Sequence, residues 1–485
     1  MSRRVRWVLA LLAAQASAAN IEAVAAWRGW AGAGGLGELE LRVPASATAG
    51  TVTVSLQSPL QHLDSTATAH AGAYTVLRLP ARADAPVALT ARNPDGRTVR
   101  GQFSFQRSDR PILVWAGNTA VEAANADVHL LAVSAADMPR LASSYTSVAG
   151  IVIDDATLRL LDDSQAAALL QYVRHCGFTM AVGFSDEADT ALLRAAGCDG
   201  RQLRAGLAGL TPTAAIGQFL DRTAAAPIGS TTLSSLANVD RRAIWLTGAL
   251  LLYVLLAVAL LLLSPRPALL LGLAPLATVA MALMFYLAPV QQQLIVWAEA
   301  RSGDRSAQFS GELQLRPTAP GRLSVVVPAQ IDHADACDAS TQSTAHWDAA
   351  QQRIVSAELR LQLLLQPQLC FSGSFPLNYR AQAQRIDAAT LQVTNNGAAA
   401  WHAARLLWQG RVYRDLELSA SDVQRIRATS GSATATPAER LASERLPWGE
   451  AAVLLPLPLA ALNLPSRSAS GWLAIAMPVT ARQPP

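Results

Sequence analysis

Over residues 21–107 apolar side chains recur at every second position: Leu39, Leu41 and Val43, then Val52, Val54 and Leu56, then Val87 and Leu89, then Phe103 and Phe105. Turn formers separate these runs at Gly34-Gly35, Ser58-Pro59 and Asn93-Pro94-Asp95-Gly96. A period of two with such breaks predicts short half-buried strands, and the spacing predicts a small β-sandwich over residues 20–108. At Pro111 the pattern changes. Ile112 to Gly117, Val128 to Ser134, Gly150 to Asp155 and Phe178 to Phe184 are near-continuous apolar runs, as expected of parallel strands covered on both faces. Between the last two, Ala167, Leu170 and Val173 recur at helical spacing within Ser164 to His175. The alternation predicts an α/β domain of flavodoxin-like order over residues 109–200, followed by an Ala-rich linker over 201–242.

Residues 243–263 and 268–288 are two uncharged apolar runs joined by Ser264-Pro265-Arg266-Pro267. Each is long enough to cross a bilayer as a helix, and so short a link predicts a transmembrane hairpin with both flanking regions on one side. Trp245, Tyr286 and Trp297 would then share an interfacial belt, and Pro275 would kink the second helix. From Gln308 the period of two returns, in Leu313 and Leu315, in Leu323, Val325 and Val327, in Leu359, Leu361 and Leu363, and in Leu391 and Val393. This predicts a second β-sandwich over residues 305–485, with residues 428–443 as an exposed loop.

The N-terminus strengthens the extracytoplasmic reading. Three arginines precede an apolar stretch from Trp7 to Ala14, and Ala16-Ser17-Ala18 has the small-x-small pattern of a cleavage site, so residues 1–19 read as a signal peptide. Arg241 and Arg242 outside, against Arg266 alone at the hairpin tip, argue for the opposite orientation. The signal-like segment is given precedence, because the first segment ordinarily sets topology. The expected location is therefore the inner membrane with both large regions in the periplasm, the lipid bilayer being a partner through two helices.

Composition excludes several chemistries. A net charge of +4 without a dense basic stripe argues against nucleic acid as a partner. All 39 basic residues are arginine, which removes Walker, Schiff-base and kinase-type lysines. Four cysteines form two sequence-local couples, Cys176 with Cys198 and Cys337 with Cys370, and an even count in an oxidising compartment suits two disulfides. His333, Asp335 and Cys337 share one face of an extended chain, with His346 nearby, a set that could hold zinc or copper or could be a polar loop with a bridged cysteine. Trp347, Trp401, Trp408, Trp448 and Trp472 could line a glycan surface or simply pack. Asp154, Asp155, Ser185 and Asp186 would gather at the carboxyl ends of the parallel strands, where α/β folds bind ligands.

In its order of elements the region from Pro111 to Cys198 resembles the class I glutamine amidotransferase-like fold, whose nucleophile elbow is Gly-x-Cys-x-Gly. Gly183-Phe184-Ser185 places Phe184 where that cysteine would stand. The resemblance therefore implies a degenerate domain with no catalytic residue and no cofactor. The whole arrangement, with the segment from Leu391 to Leu418, is similar to bacterial envelope proteins that accompany MoxR-type ATPases and von Willebrand factor A-type proteins. That resemblance implies a non-catalytic, membrane-anchored scaffold or accessory factor for other envelope proteins. The alternatives are a hydrolase or amidotransferase relative using an unconventional nucleophile such as Ser185, and a glycan-binding envelope protein.

Overall fold

The structure is a computed structural model that describes residues 20–32, 34–117, 127–174, 177–182, 202–205, 214–216, 219, 291–317, 320–362, 366–433, 436–446, 450–457 and 468–481. Most of the described chain is strand. The alternating runs form strands where their period of two predicts them, for example Leu36–Val43, Gly50–Gln57, Val87–Arg92, Arg353–Leu361 and Thr390–Asn395.

These strands do not make two separate sandwiches. A seven-stranded sheet runs in the order Gly321–Val326, Arg353–Leu361, Ser343–Asp348, His62–Ala69, Gly50–Gln57, Val87–Arg92, Thr98–Phe103, so three of its strands come from the C-terminal region and four from the N-terminal one. The junction is parallel and short: Ala345 lies opposite Leu63, His346 opposite Asp64 and Trp347 opposite Ser65. An eleven-stranded sheet, built wholly from Gln291 onward, packs its apolar face toward the same interior. Leu41, Val54, Leu63 and Leu89 share one core with Leu294, Phe309, Leu359, Leu406 and Leu473. The strands Leu36–Val43 and Thr75–Arg82, in a separate three-stranded sheet, add Leu39, Leu41, Leu77 and Leu79 to this core, and pairing across the junction joins the interiors of the two halves into one.

The expectation of a multidomain chain with a flavodoxin-like, amidotransferase-like domain between two sandwiches is corrected accordingly. Five parallel strands do pair in the order His129–Val133, Ile112–Ala116, Gly150–Asp154, Phe178–Val182, Gln202–Ala205. The helices Asp155–Leu160, of under about two turns, and Asp163–Arg174, of about three, lie against them, and the layer is stitched into the β framework. Trp27, fully buried, belongs to this layer's core, donates from its indole nitrogen to Ser144 O at 3.2 Å, and meets Tyr145 edge-on at 5.3 Å. Glu38 accepts from the backbone nitrogens of Arg140 and Leu141 at 2.6 and 2.7 Å. Burial nonetheless raises its carboxyl above the ordinary value, against those two hydrogen bonds and the nearby Arg78 and Arg140. Part of the expected linker is likewise structural: Gln202–Ala205 is the fifth strand, and Ile216 and Phe219 are buried against the sheet.

The membrane assignment is also withdrawn. The runs 243–263 and 268–288, and the signal-like residues 1–19, lie outside the described residues. Among the described residues no helix is long and apolar enough to cross a membrane. The longest, Asp163–Arg174, has 12 residues and spans about 18 Å at the α-helical rise, against a hydrocarbon core of about 30 Å. The lipid bilayer as a partner through two helices and an inner-membrane location with periplasmic domains therefore have no support among these elements. Trp297, read as an interfacial residue, instead sits 1% exposed in the strand Gln291–Arg301 and donates to Glu299 Oε1 at 2.8 Å.

That strand is covered on both faces. Leu294, Val296 and Ala298 enter the main core, while Ile295 and Trp297 pack beneath the helix Pro437–Arg445. Most of the helix falls within the expected exposed loop of residues 428–443, and it ends two residues beyond it. Thr436 Oγ1 accepts from Glu439 N, Glu439 reaches back to Thr436 N, and Pro437 fills the first turn, which together start a helix by a capping box. Glu439 is fully buried and is held by Arg405 at 3.1 Å and Arg414 at 2.8 Å.

Candidate functional site

The outer face of the seven-stranded sheet carries its polar residues because the inner positions, Val54, Leu56, Leu63 and Leu359, are committed to the core. Where the two halves of the chain meet, this face forms an open groove of about 590 Å³. His62, Asp64, Gln57 and Gln61 line it from the N-terminal half, and Thr344, His346, Glu358, Arg322 and Arg360 from the C-terminal half. Parallel pairing sets Asp64 directly beside His346, and antiparallel pairing sets it opposite Ser55.

His62 is the centre of this surface. Its Nε2 lies 3.0 Å from Ser55 Oγ and 3.4 Å from Asp64 Oδ1, and its Nδ1 lies 3.2 Å from Thr344 Oγ1. The hydrogen bond to Asp64 raises the imidazole above its ordinary value, with burial opposing. The same bond, with help from Ser55, holds the Asp64 carboxyl below its ordinary value. One end of the groove is basic: Arg322 and Arg360 stand opposite each other across two strands, Arg322 3.3 Å from Glu358 and Arg360 donating to Gln342 Oε1 at 3.1 Å.

Serine, histidine and aspartate together suggest acyl chemistry, but the connectivity differs from a serine triad. In a triad the acid holds the ring nitrogen opposite the one facing the nucleophile. Here Ser55 and Asp64 share Nε2. Thr344 stands at the opposite nitrogen.

The sequence-derived candidates are distributed otherwise. Cys337 and Cys370 are bonded, with Cα atoms 4.9 Å apart. Cys176 and Cys198 lie outside the described residues, as do Ser185, Asp186 and Phe184. Asp154 accepts from Thr157 N at 2.7 Å and so caps the helix that follows, and Asp155 pairs with Arg159 at 2.8 Å, so both have structural work at the sheet rim.

His333 and Asp335 meet at 3.2 Å, buried in the eleven-stranded sheet, while His346 is in the other sheet. Among the described residues no group of three or more His, Cys, Asp or Glu side chains is arranged to hold a metal ion. Trp347, Trp401 and Trp408 are buried, and Trp472 lies beneath the Arg405 guanidinium at 4.6 Å, so these tryptophans pack and do not form an open sugar platform. Trp448 lies outside the described residues.

No family model matches the chain, and no curated protein does. Among solved structures it is similar to the yeast delta-COP-I μ-homology domain complexed with a Dsl1 WxWxV peptide, at 9% identity and a TM-score of 0.19, over 39% of this chain and 95% of that one. It is similar also to a polysaccharide deacetylase from Bacillus cereus, at 9% identity and a TM-score of 0.12, over 39% of this chain and 69% of that one. A putative polysaccharide deacetylase from Bacillus anthracis matches at 10% identity and a TM-score of 0.12, over 37% of this chain and 78% of that one. Likenesses this distant carry no functional argument.

Proposed function

We propose that the protein is a non-catalytic binding protein, a scaffold or accessory factor that presents the groove between its two halves to a protein partner. The observation that carries this reading is the use of both His62 nitrogens within the framework, toward Ser55 and Asp64 on one side and Thr344 on the other. Such a network fixes the shape of a surface. The groove's lip, with the exposed Gln342, Arg322 and Arg360 above hydroxyl and amide groups, offers hydrogen-bond donors and acceptors to a polar surface. Polar rims of this kind set register and specificity in protein contacts.

A photo-crosslinking residue placed at Gln342 in the full chain tests the reading. A discrete protein adduct from Gln342, lost when Thr344→Arg fills the groove and not formed from the distant exposed position Leu160, is the expected result. Equal or no adducts from the two positions would overturn it. A second reading has one observation in its favour: Thr344 and Asp64 occupy opposite nitrogens of His62, the order of a hydrolytic relay. Under that reading Thr344→Val abolishes an ester-hydrolysing activity of the purified chain and leaves the adduct intact.

A further inference from the structure

Cys370 stands within the strand Gln368–Pro376, flanked in register by Asp335 on one neighbouring strand and Glu312 on the other. Its chain neighbours Leu369 and Phe371 enter the main core, so Cys370, Asp335 and Glu312 share the opposite face of the sheet. Residues directly across a strand pair hold their Cβ atoms about 5 Å apart, which makes both carboxylic acids side-chain neighbours of Cys370 on this face. Both carboxyls are buried, at 1% and 0% exposure, and among the described residues Glu312 Oε2 has no hydrogen-bond partner. Burial raises both, Asp335 well above its ordinary value; Arg82 lowers and Asp84 raises Asp335, while Gln314 lowers and Asp338 raises Glu312. His333 also faces Asp335, at 3.2 Å. Cys337 is placed differently. It follows the strand Ile331–Ala336 and opens directly into the exposed residues Asp338, Ala339 and Ser340.

We propose that Cys337–Cys370 is a thiol–disulfide exchange site for a protein dithiol, with Cys337 taking the attack and the buried carboxylic acids Asp335 and Glu312 serving the departing Cys370 sulfur. A thiolate of the dithiol bonds to Cys337 Sγ as the Cys337–Cys370 bond breaks. The electron pair goes to Cys370 Sγ, which takes the proton of a neighbouring carboxyl. The second thiol of the dithiol, once deprotonated, attacks its own sulfur in the mixed disulfide and expels Cys337 as a thiolate, which is protonated from water. The dithiol is oxidised to a disulfide and the chain's disulfide is reduced to two thiols. The protons shed by the two attacking thiols balance the one taken by Cys337 and the one that restores the carboxyl. An acid beside the leaving sulfur matters because a thiolate stranded in a dry site is costly to form.

Dithiothreitol reduction of the native full chain, followed by thiol release, tests this. The double variant Asp335→Asn, Glu312→Gln should be reduced at least about tenfold more slowly than the parent, since a positioned general acid contributes that much or more. Ser372→Ala, on the same face, should leave the rate unchanged, and all variants should react alike in denaturant. A folded double variant reduced at the parental rate would overturn the proposal. Should that variant fail to fold, capture of the parent chain with a monothiol and peptide mapping gives an independent answer. The adduct is expected on Cys337; an adduct on Cys370, or a native disulfide that a dithiol does not reduce, would contradict the proposal.

Discussion

Two stretches of this chain carry the same three-residue pattern on a strand, His62-Leu63-Asp64 and His333-Ala334-Asp335. In both the imidazole Nε2 faces the carboxylate at a similar distance, 3.4 Å in the first and 3.2 Å in the second. Their electrostatics are opposite. At the groove the side chains are 37% and 32% exposed, and pairing raises His62 while lowering Asp64, which favours the ion pair. Beneath the eleven-stranded sheet the exposures are 17% and 1%, and burial drives His333 down to about 3 and Asp335 well up, which favours two neutral groups. Water access decides between charge and neutrality when the partner geometry is the same.

The largest effect tests whether both motifs stand over one core. Leu63, fully buried, enters it between His62 and Asp64, and Ala334, 1% exposed, enters it between His333 and Asp335. Leu63→Ala should cost about 2–5 kcal/mol by denaturant titration, with a single unfolding transition for both halves of the β framework. Separate transitions would show that the junction strands hold independent cores.

A smaller pair of effects sharpens the contrast through opposite signs. Asp335 is raised in the folded state, so the native chain incurs a penalty that grows as pH rises above 3.8, where the unfolded carboxyl ionises. Asp335→Asn should therefore be more stable than the parent at pH 8, by about 1 kcal/mol or more, and lose that advantage on acidification toward pH 4. Asp64 is lowered, so its contribution is present above 3.8 and fades as pH falls through its depressed value. Asp64→Asn should accordingly be less stable than the parent at pH 6, by about 0.5 kcal/mol for a partly exposed pair. Asp332, which burial pushes up to about 7, should behave as Asp335 does, with Asp332→Asn gaining most of its advantage between pH 4 and pH 7.

The smallest effect concerns the groove imidazole. Because His62 is raised in the folded state, its contribution is complete below 6.5 and is lost as pH rises through its elevated value. Urea midpoints of His62→Gln and the parent should differ at pH 5 by about 0.5 kcal/mol in the parent's favour and converge by pH 9.

Much of the secondary structure is legible in the sequence, because alternation and continuous apolar runs are local signals. Ile112–Ala116, Gly150–Asp154 and Phe178–Val182 are strands within the runs that predict them, and Cys337 bonds to Cys370 as their proximity suggests. The helix Pro437–Arg445 was legible too, through Thr436-Pro437-Ala438-Glu439, but a run of small polar residues before it reads as loop.

The groove was not legible. It depends on Leu63 pairing with Ala345, a parallel contact between strands distant in sequence that no local pattern encodes. Nor does alternation tell the two His-x-Asp stretches apart. Each places its histidine and aspartate on the face away from the main core, and what covers that face comes from remote chain.

The measurement that tests the contrast most directly is an NMR titration of the imidazole rings in the full chain, with His62→Gln and His333→Gln used for assignment. The account predicts that His62 titrates above 6.5, while His333 stays neutral to about 3 or until the chain unfolds. Both rings titrating together near the ordinary value, or His333 protonating first in the folded chain, would contradict it.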